Sequence, residues 1–322
     1  MRRPTVVSTF SGCGGSSLGY KMAGFRVLLA VDFDDNSMET YRANFPGTRT
    51  FHGDIKDLSV RKLLEICGLE AGELDVLDGS PPCQGFSMQG KRRMADSRNR
   101  LFMEYVRLLR GTRPRAFVME NVSGMVKGKM RVVFTEIFRE LKASGYWVSA
   151  AVLNSMRYGV PQARERIIFV GTRNDLKTEP TFPRPTSRPI SVTRALEGCP
   201  VDEEMVLPEG FLSEVLPRLR QGESPARYHP KGHHFSTRRN KSDMPSFTIS
   251  RTFGKTLSGI IHPTEPRFHT ISELKRLSSF PDDFVFVGTF TEKWNRIGNT
   301  VPPLFMRAIA EHVRRTILER RG

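Results

Sequence analysis

The chain has 322 residues, a formal net charge of +16 and a pI near 10.1. That length supports one to three domains with a real core, and the charge points to a polyanionic partner, nucleic acid or an anionic membrane surface. The sequence has no apolar run long enough to span a bilayer and no secretory leader. We therefore expect a cytoplasmic protein, nucleoid-associated if bacterial. The four cysteines, Cys13, Cys67, Cys83 and Cys199, form no Cys-x-x-Cys pair, so neither a zinc site nor a disulfide framework is expected.

In chain order, apolar runs alternate with amphipathic segments, the pattern of a βαβ sheet. Strands are predicted at Thr5–Phe10, Arg26–Val31, Leu74–Asp78 and Arg115–Met119. Helices are predicted near Ser16–Ala23, Asn36–Asn44, Val60–Cys67, Leu101–Leu109 and Val132–Ala143. Two further strands, Tyr146–Leu153 and Arg166–Val170, read as an antiparallel pair. After Gly171 prolines crowd the chain and periodicity fades, which marks a boundary. The expected fold is α/β: a Rossmann-like mixed sheet with helices on both faces, plus a smaller, irregular, β- or loop-rich domain. The first domain would cover 1–175 and be completed by 291–322, where an apolar helical pattern returns over Pro302–Glu319; the second would cover 176–290.

Five constellations carry chemistry. Phe10-Ser11-Gly12-Cys13-Gly14-Gly15-Ser16-Ser17-Leu18 follows the first strand and opens a helix, and Asp32 ends the second strand. Glycines let the backbone approach a ligand, a helix start offers free N–H groups, and an acid there accepts from ribose hydroxyls. The loop lacks the third glycine of the dinucleotide fingerprint; by itself it suits either a dinucleotide or S-adenosylmethionine. Pro81-Pro82-Cys83-Gln84-Gly85-Phe86-Ser87 sets a cysteine behind two residues of fixed φ, directly after a strand. Holding a thiol still in this way suits a nucleophile. Glu120 follows a neighbouring strand, where it would face the same pocket as a proton donor or hydrogen-bonding partner. Gln162, Arg164 and Arg166 alternate at period two and so share one face of an extended strand. Such a face suits a carbonyl oxygen, a thiolate or phosphates. Arg296-Ile297-Gly298-Asn299 reads as a turn, with Asn299 capping the last helix or bonding a ligand.

Together these stretches resemble the cytosine-5 DNA methyltransferase family. The matches are Phe10–Phe25, Asp32–Phe45, Gly53-Asp54-Ile55, Gly79–Ser87, Glu120-Asn121-Val122, Tyr158–Gly171 and Arg296–Val301, in the family's order over nearly the whole chain. The resemblance implies that Cys83 attacks carbon 6 of a cytosine flipped out of double-stranded DNA, and that carbon 5 then takes a methyl group from S-adenosylmethionine. Glu120 would bond ring nitrogen 3 and the exocyclic amine, Arg166 the carbonyl oxygen, and Arg164 would support the thiolate and nearby backbone. Asp32 would hold the cofactor ribose, Phe33 stack on adenine and Asp54 bond its amine. Phe10, Gly12, Gly14, Leu18, Ile55, Pro82, Asn299 and Val301 would complete that pocket.

The basic stretch Met88–Arg100 would close over the substrate. Gln84, Ser87, Lys91, Arg92, Arg98, Gln162, Arg251, Lys255, Thr256 and Leu257 would meet DNA, the last four from a recognition segment. The resemblance departs at Ser272 and Ser278, where the family usually has arginine and glutamine, and at Asp32, where glutamate is more usual. A transfer-RNA cytosine methyltransferase would share the catalytic motifs, but the Cys-Phe-Thr block usual in those enzymes is missing. A catalytically inactive DNA-binding member would not need the intact Cys83, Glu120 and Arg166. A nicotinamide oxidoreductase leaves Pro-Pro-Cys without a role. One catalytic and one recognition domain suffice, so a monomer is expected.

Overall fold

The computed structural model describes residues 2–82, 100–200, 204–233, 236–253 and 259–319. The chain divides into two compact units. The first is Met1–Leu153, Glu165–Arg184 and Met306–Gly322; the second is Asn154–Arg164 and Pro185–Phe305. The division thus differs from 1–175 with 291–322: Asn154–Arg164 and residues 291–305 cluster with the second unit.

The first unit is built on a seven-stranded sheet. Its strands are β1 (Thr5–Thr9), β2 (Arg26–Asp32), β3 (Arg49–His52), β4 (Val76–Gly79), β5 (Ala116–Val122), β6 (Tyr146–Asn154) and β7 (Glu165–Arg173). The order is β3-β2-β1-β4-β5-β7-β6. The pairs from β3 through β5 are parallel and β5 pairs with β7 antiparallel. The β-branched run of β1 is buried at every position, as a central parallel strand requires. Helices α1 (Gly15–Met22) and α2 (Asp35–Asn44) carry the chain outward from β1. Helices α3 (Val60–Cys67) and α4 (Arg100–Thr112) carry it back across to β4 and β5. Right-handed crossovers in opposite directions set the two pairs on opposite faces.

Local signals fix the helix ends. Asp34 caps α2 by accepting from the Ser37 N–H at 2.7 Å, and Ser59 caps α3 by accepting from that of Lys62 at 3.1 Å. Strand β3 was not expected. It is four residues long and half exposed, so it offers no apolar run to read. Helix α5 (Arg131–Ala143) and edge strand β6 complete the unit, with Phe117 at the centre between Tyr105 and Tyr146.

The second unit is irregular and loop-rich, as expected. Its strands among the described residues are the two-residue β8 (Arg238–Arg239) and β9 (Ile260–Ile261). Short helices α6 (Val192–Leu196), α7 (Phe211–Val215), α8 (Ile271–Leu277) and α9 (Phe290–Asn299) punctuate its loops. Arg296–Asn299 is therefore the last turn of α9 and not a free turn. A Thr289–Glu292 capping box starts that helix, and Phe290, Trp294, Ile297 and Gly298 bury one face of it. Residue 298 must be glycine, because a Cβ there would stand 2.0 Å from the Ser250 carbonyl oxygen. The closing helix α10 (Pro303–Val313) follows.

A polar hub holds α8. Arg267 donates to both Glu273 oxygens at 2.7 and 3.0 Å. His269 bonds Glu273 through Nδ1 at 2.8 Å and Asn240 through Nε2 at 2.9 Å. His262, His269 and Glu273 bring ligand-type atoms within 4.8 Å of one another. The Arg267 guanidinium occupies the cation's place against Glu273, so the set is an internal ion-pair hub.

Burial would raise the Glu273 carboxyl, but hydrogen bonds from His269 and Arg267 hold it well below the usual range. Burial, with His269 beside it, lowers His262 to about 4. The unfolded imidazole titrates near 6.5, so folding favours neutral His262. Its contribution is full above about pH 6.5 and is lost as the pH falls toward about 4. The melting temperature is expected to drop over that interval, and His262→Gln should flatten this limb in pH-resolved thermal melts. The Glu273 contribution, lost only in stronger acid, should remain in that variant.

Candidate active site

The strand order reverses between β1 and β4, and open α/β sheets bind ligands outside the carboxyl ends of strands at such a point. The register places Thr9 opposite Gly79. The glycine loop and Ser80-Pro81-Pro82 therefore leave the sheet side by side. Next along, Gly79 pairs with Met119, so Glu120 stands one residue beyond that level on β5. Cys83 follows Pro82 in sequence but lies outside the described residues. So do Gln84, Ser87, Lys91, Arg92, Arg98, Lys255, Thr256 and Leu257.

The glycine loop is shaped from its own backbone. Phe10 has φ 53°, rare for a bulky side chain, and Gly12 and Gly14 have φ 51° and 98°. A Cβ on Gly12 would meet nothing within 4 Å, whereas one on Gly14 would strike the Phe45 ring at 2.3 Å. Gly14 thus serves packing, and Gly12 borders open space. The Ser11 hydroxyl is buried without a hydrogen-bond partner. Leu18 lies one turn into α1, half-buried.

Asp32 closes the loop. Its carboxylate accepts from the Gly12 N–H at 2.7 Å and the Asp34 N–H at 3.0 Å, and burial raises its pKa. Phe33 beside it is 70 % exposed, a large apolar ring presented to solvent. Asp54 accepts from the Lys56 N–H at 3.0 Å and pairs with its ammonium at 3.1 Å. Ile55 is buried, and its carbonyl and that of Leu58 accept from Arg107 at 3.1 and 2.9 Å. Arg107 was not singled out from sequence; an arginine on the polar side of an amphipathic helix gives no signal of such a brace. Pro82 is exposed and Pro81 buried.

On β5 and β7, Arg166 Nε stands 2.8 Å from Glu120 Oε1, with side-chain exposures of 15 and 11 %. Arg166 Nη1 donates to the Glu165 carbonyl at 2.7 Å, and one N–H of the guanidinium meets the carboxylate in a charge-assisted contact. Asn121, also missed as an individual residue, donates from Nδ2 to the Pro81 carbonyl at 3.0 Å. It ties the proline run to the strand that carries Glu120.

In the second unit, Gln162, expected to meet DNA, forms an internal strut. It is 1 % exposed, donates to Ser278 Oγ at 3.1 Å and accepts from the Ile249 N–H at 3.4 Å. Ser278, one of the two departures in that block, is thus an acceptor for Gln162. Arg164, 5 % exposed, donates to the carbonyls of Ile249 and Gly298 at 3.1 and 2.9 Å. Its observed contacts support backbone. Period two put Gln162, Arg164 and Arg166 on one strand face, but β7 begins only at Glu165. Arg251 and Asn299 are exposed and Val301 is 7 % exposed.

The sheet order and the loop at its switch point define a Rossmann-like methyltransferase fold. The family model for C-5 cytosine-specific DNA methylases matches residues 4–315, and the chain belongs to that family. It is 38 % identical to the Type II methyltransferase M1.HphI of Haemophilus parahaemolyticus, over 96 % of this chain and 86 % of that one. It is 32 % identical to M.XorII of Xanthomonas oryzae pv. oryzae, over 98 % and 86 %. Among solved structures, an E. coli prophage-encoded protein described as a DNA modification methyltransferase superposes with a TM-score of 0.81 at 25 % identity, covering 98 % of this chain and 100 % of its own. A Spodoptera frugiperda DNMT2 mutant shares the fold, with a TM-score of 0.73 at 19 % identity over 98 % of this chain and 100 % of its own.

Removing one partner of a mostly buried ion pair strands the other. Arg166→Leu is expected to cost about 3 kcal/mol of stability, and a joint Glu120→Leu/Arg166→Leu variant to recover most of it. Urea unfolding of the four members of that cycle checks both expectations.

Proposed function

We propose that the chain methylates carbon 5 of cytosine within a specific site in double-stranded DNA, with S-adenosylmethionine as methyl donor. The observation that supports this most directly is the register Thr9 opposite Gly79, which sends the glycine loop and the Pro81-Pro82 run out of the sheet together. The loop suits the cofactor on its own evidence: open space over Gly12, an unpartnered Ser11 hydroxyl and an exposed Phe33 ring beside Asp32.

In this reading Phe10, Gly12, Gly14, Leu18, Asp32, Phe33, Asp54, Ile55, Pro82, Asn299 and Val301 hold the cofactor, whose sulfonium supplies the methyl group. Asp32 keeps lone pairs for ribose hydroxyls beyond its backbone contacts. The target base is flipped out at a cost of a few kcal/mol. The Cys83 thiolate bonds to carbon 6, and the ring electrons shift to carbon 5. Glu120 bonds nitrogen 3 and the exocyclic amine, offsetting the charge that builds in the ring. Arg166, with five N–H donors, holds Glu120 and still offers donors to the base carbonyl. Methylation at carbon 5, loss of its proton and expulsion of the thiolate complete the cycle. Arg164 acts by bracing backbone, and Gln162 with it.

The basic residues Lys91, Arg92, Arg98, Arg251 and Lys255, with Gln84, Ser87, Thr256 and Leu257, would meet DNA, making binding salt-dependent. The domain assignment of catalysis to 1–175 with 291–322 and of recognition to 176–290 is part of this proposal. So is action as a monomer in the compartment that holds the DNA. No described helix is long and apolar enough to cross a membrane. The Type II designation of the relatives supports a modification role beside a restriction activity.

Incubation with tritiated S-adenosylmethionine and unmethylated genomic DNA, with transfer RNA in parallel, tests the reading. Label is expected in DNA as 5-methylcytosine at one sequence. Cys83→Ser should lower it on the order of a thousandfold or more. Label in transfer RNA alone would replace the substrate, and no label in either would remove the activity.

A further inference from the structure

The proposed chemistry leaves one buried carboxyl at the switch point unused. Asp78 is 2 % exposed and sits on β4 opposite Ser8 of β1. The next pair, Thr9 and Gly79, ends both strands, so Asp78 lies one residue beneath the edge where the two loops depart. Ser8 Oγ donates to it at 3.0 Å and the Tyr20 hydroxyl at 3.4 Å, and the Ser16 hydroxyl is a third partner. Ser16 and Tyr20 lie on α1, directly after the glycine loop.

Among the described residues, the titratable groups that face Asp78 are Tyr20 of α1, Tyr41 of α2, Tyr105 of α4 and Glu120 of β5. Three are phenols and the fourth is a carboxylate already paired with Arg166. None supplies positive charge. Burial, with Glu120 adding to it, raises Asp78 to about 7 despite the hydroxyl donors. The carboxyl is therefore poised between its two forms at neutral pH, and a nearby charge can decide between them.

We propose that Asp78 senses the charge of the cofactor: it ionises when a sulfonium occupies the crevice above β1 and β4 and is neutral beside the uncharged product. This rests on the S-adenosylmethionine reading above. Binding of S-adenosylmethionine then releases a proton from Asp78 to solvent. S-adenosylhomocysteine, a neutral thioether, releases none. Asp78 is a positioning and discriminating residue in this scheme; its partners lie on β1 and α1. Its consequence is preference for substrate over product, which speeds exchange after each methyl transfer.

Because the cation favours the deprotonated form, affinity for S-adenosylmethionine must rise with pH through the Asp78 range. The limit for one coupled proton is about tenfold per pH unit. Titration calorimetry of the full chain with each ligand, between about pH 6 and pH 8, in buffers of different ionisation enthalpy, reads affinity and proton release together.

For the wild type we expect several-fold tighter S-adenosylmethionine binding at the upper pH, with proton release, and a flat response to S-adenosylhomocysteine. Asp78→Asn keeps an acceptor for Ser8 and should bind S-adenosylmethionine with little pH dependence, near the wild-type affinity at low pH. The wild-type proton count needs no variant, so a misfolded Asp78→Asn would not spare the proposal. Equal pH dependence for both ligands, or a slope that survives in folded Asp78→Asn, overturns it while leaving the cofactor reading intact. Failure of the wild type to bind either ligand at any pH overturns the cofactor reading and this inference with it.

Discussion

The parallel pairing of β1 with β4 is the constraint on which the rest of the first unit depends. Two strands that run the same way must deliver their following loops to the same edge, and here those loops are the glycine turn and the proline run. Because strands on either side of this pair are reached by crossovers of opposite direction, helices withdraw from the seam and leave a crevice. Phe10 accepts a left-handed backbone at its rim. Such strain persists only where the surroundings over-determine it, and here Asp32 does so by fixing Gly12 from β2.

The chemistry at that edge is organised by pairs that restrain one another. Glu120 on β5 meets Arg166 on β7, and those strands run antiparallel, with Val122 opposite Arg166. An antiparallel neighbour brings in a side chain from the opposite end of a strand, which a parallel one would not. Asn121 then couples the same strand to the Pro81 carbonyl. A shift in β5 therefore moves the carboxylate and the proline run together, so the parts of the site are positioned as a set.

Much of this was legible in the sequence because the signals are local. Strand β1, the glycine loop and the Pro-Pro-Cys run each announce themselves within ten residues. What was not legible depends on partners far along the chain. Gln162 reads as an exposed strand donor until Ser278 and Ile249 are seen to engage both ends of its amide. Arg296–Asn299 reads as a turn because Gly-Asn is turn chemistry; the close approach of Ser250 is what requires the glycine inside a helix. Strand β3 carries no pattern, since half-exposed Arg-Thr-Phe-His has no dominant face. Arg107 is silent for the same reason, because its carbonyl partners lie about fifty residues away. The family resemblance supplied roles that no single stretch could, and the ion pair and loop geometry are consistent with them.

The charge distribution bears on how one protein can hold a cation and a polyanion at once. The chain as a whole carries +16, yet the sheet edge of the first unit gathers Asp32, Asp78 and Glu120. Each is tempered differently: Asp32 by backbone N–H groups, Glu120 by one guanidinium, Asp78 by hydroxyls and burial. Backbone N–H groups and hydroxyls carry no net charge, so two of the three remain able to respond to a positive ligand. Had arginines been placed against Asp32 and Asp78 as well, the edge would have been neutral and better solvated by its own side chains. It would also have been indifferent to the loss of a sulfonium charge. The long-range field of the remaining surface favours DNA, and low-dielectric walls confine the acidic edge to its own crevice. Burial therefore separates the acidic sheet edge of the first unit from the basic charge that the chain carries as a whole.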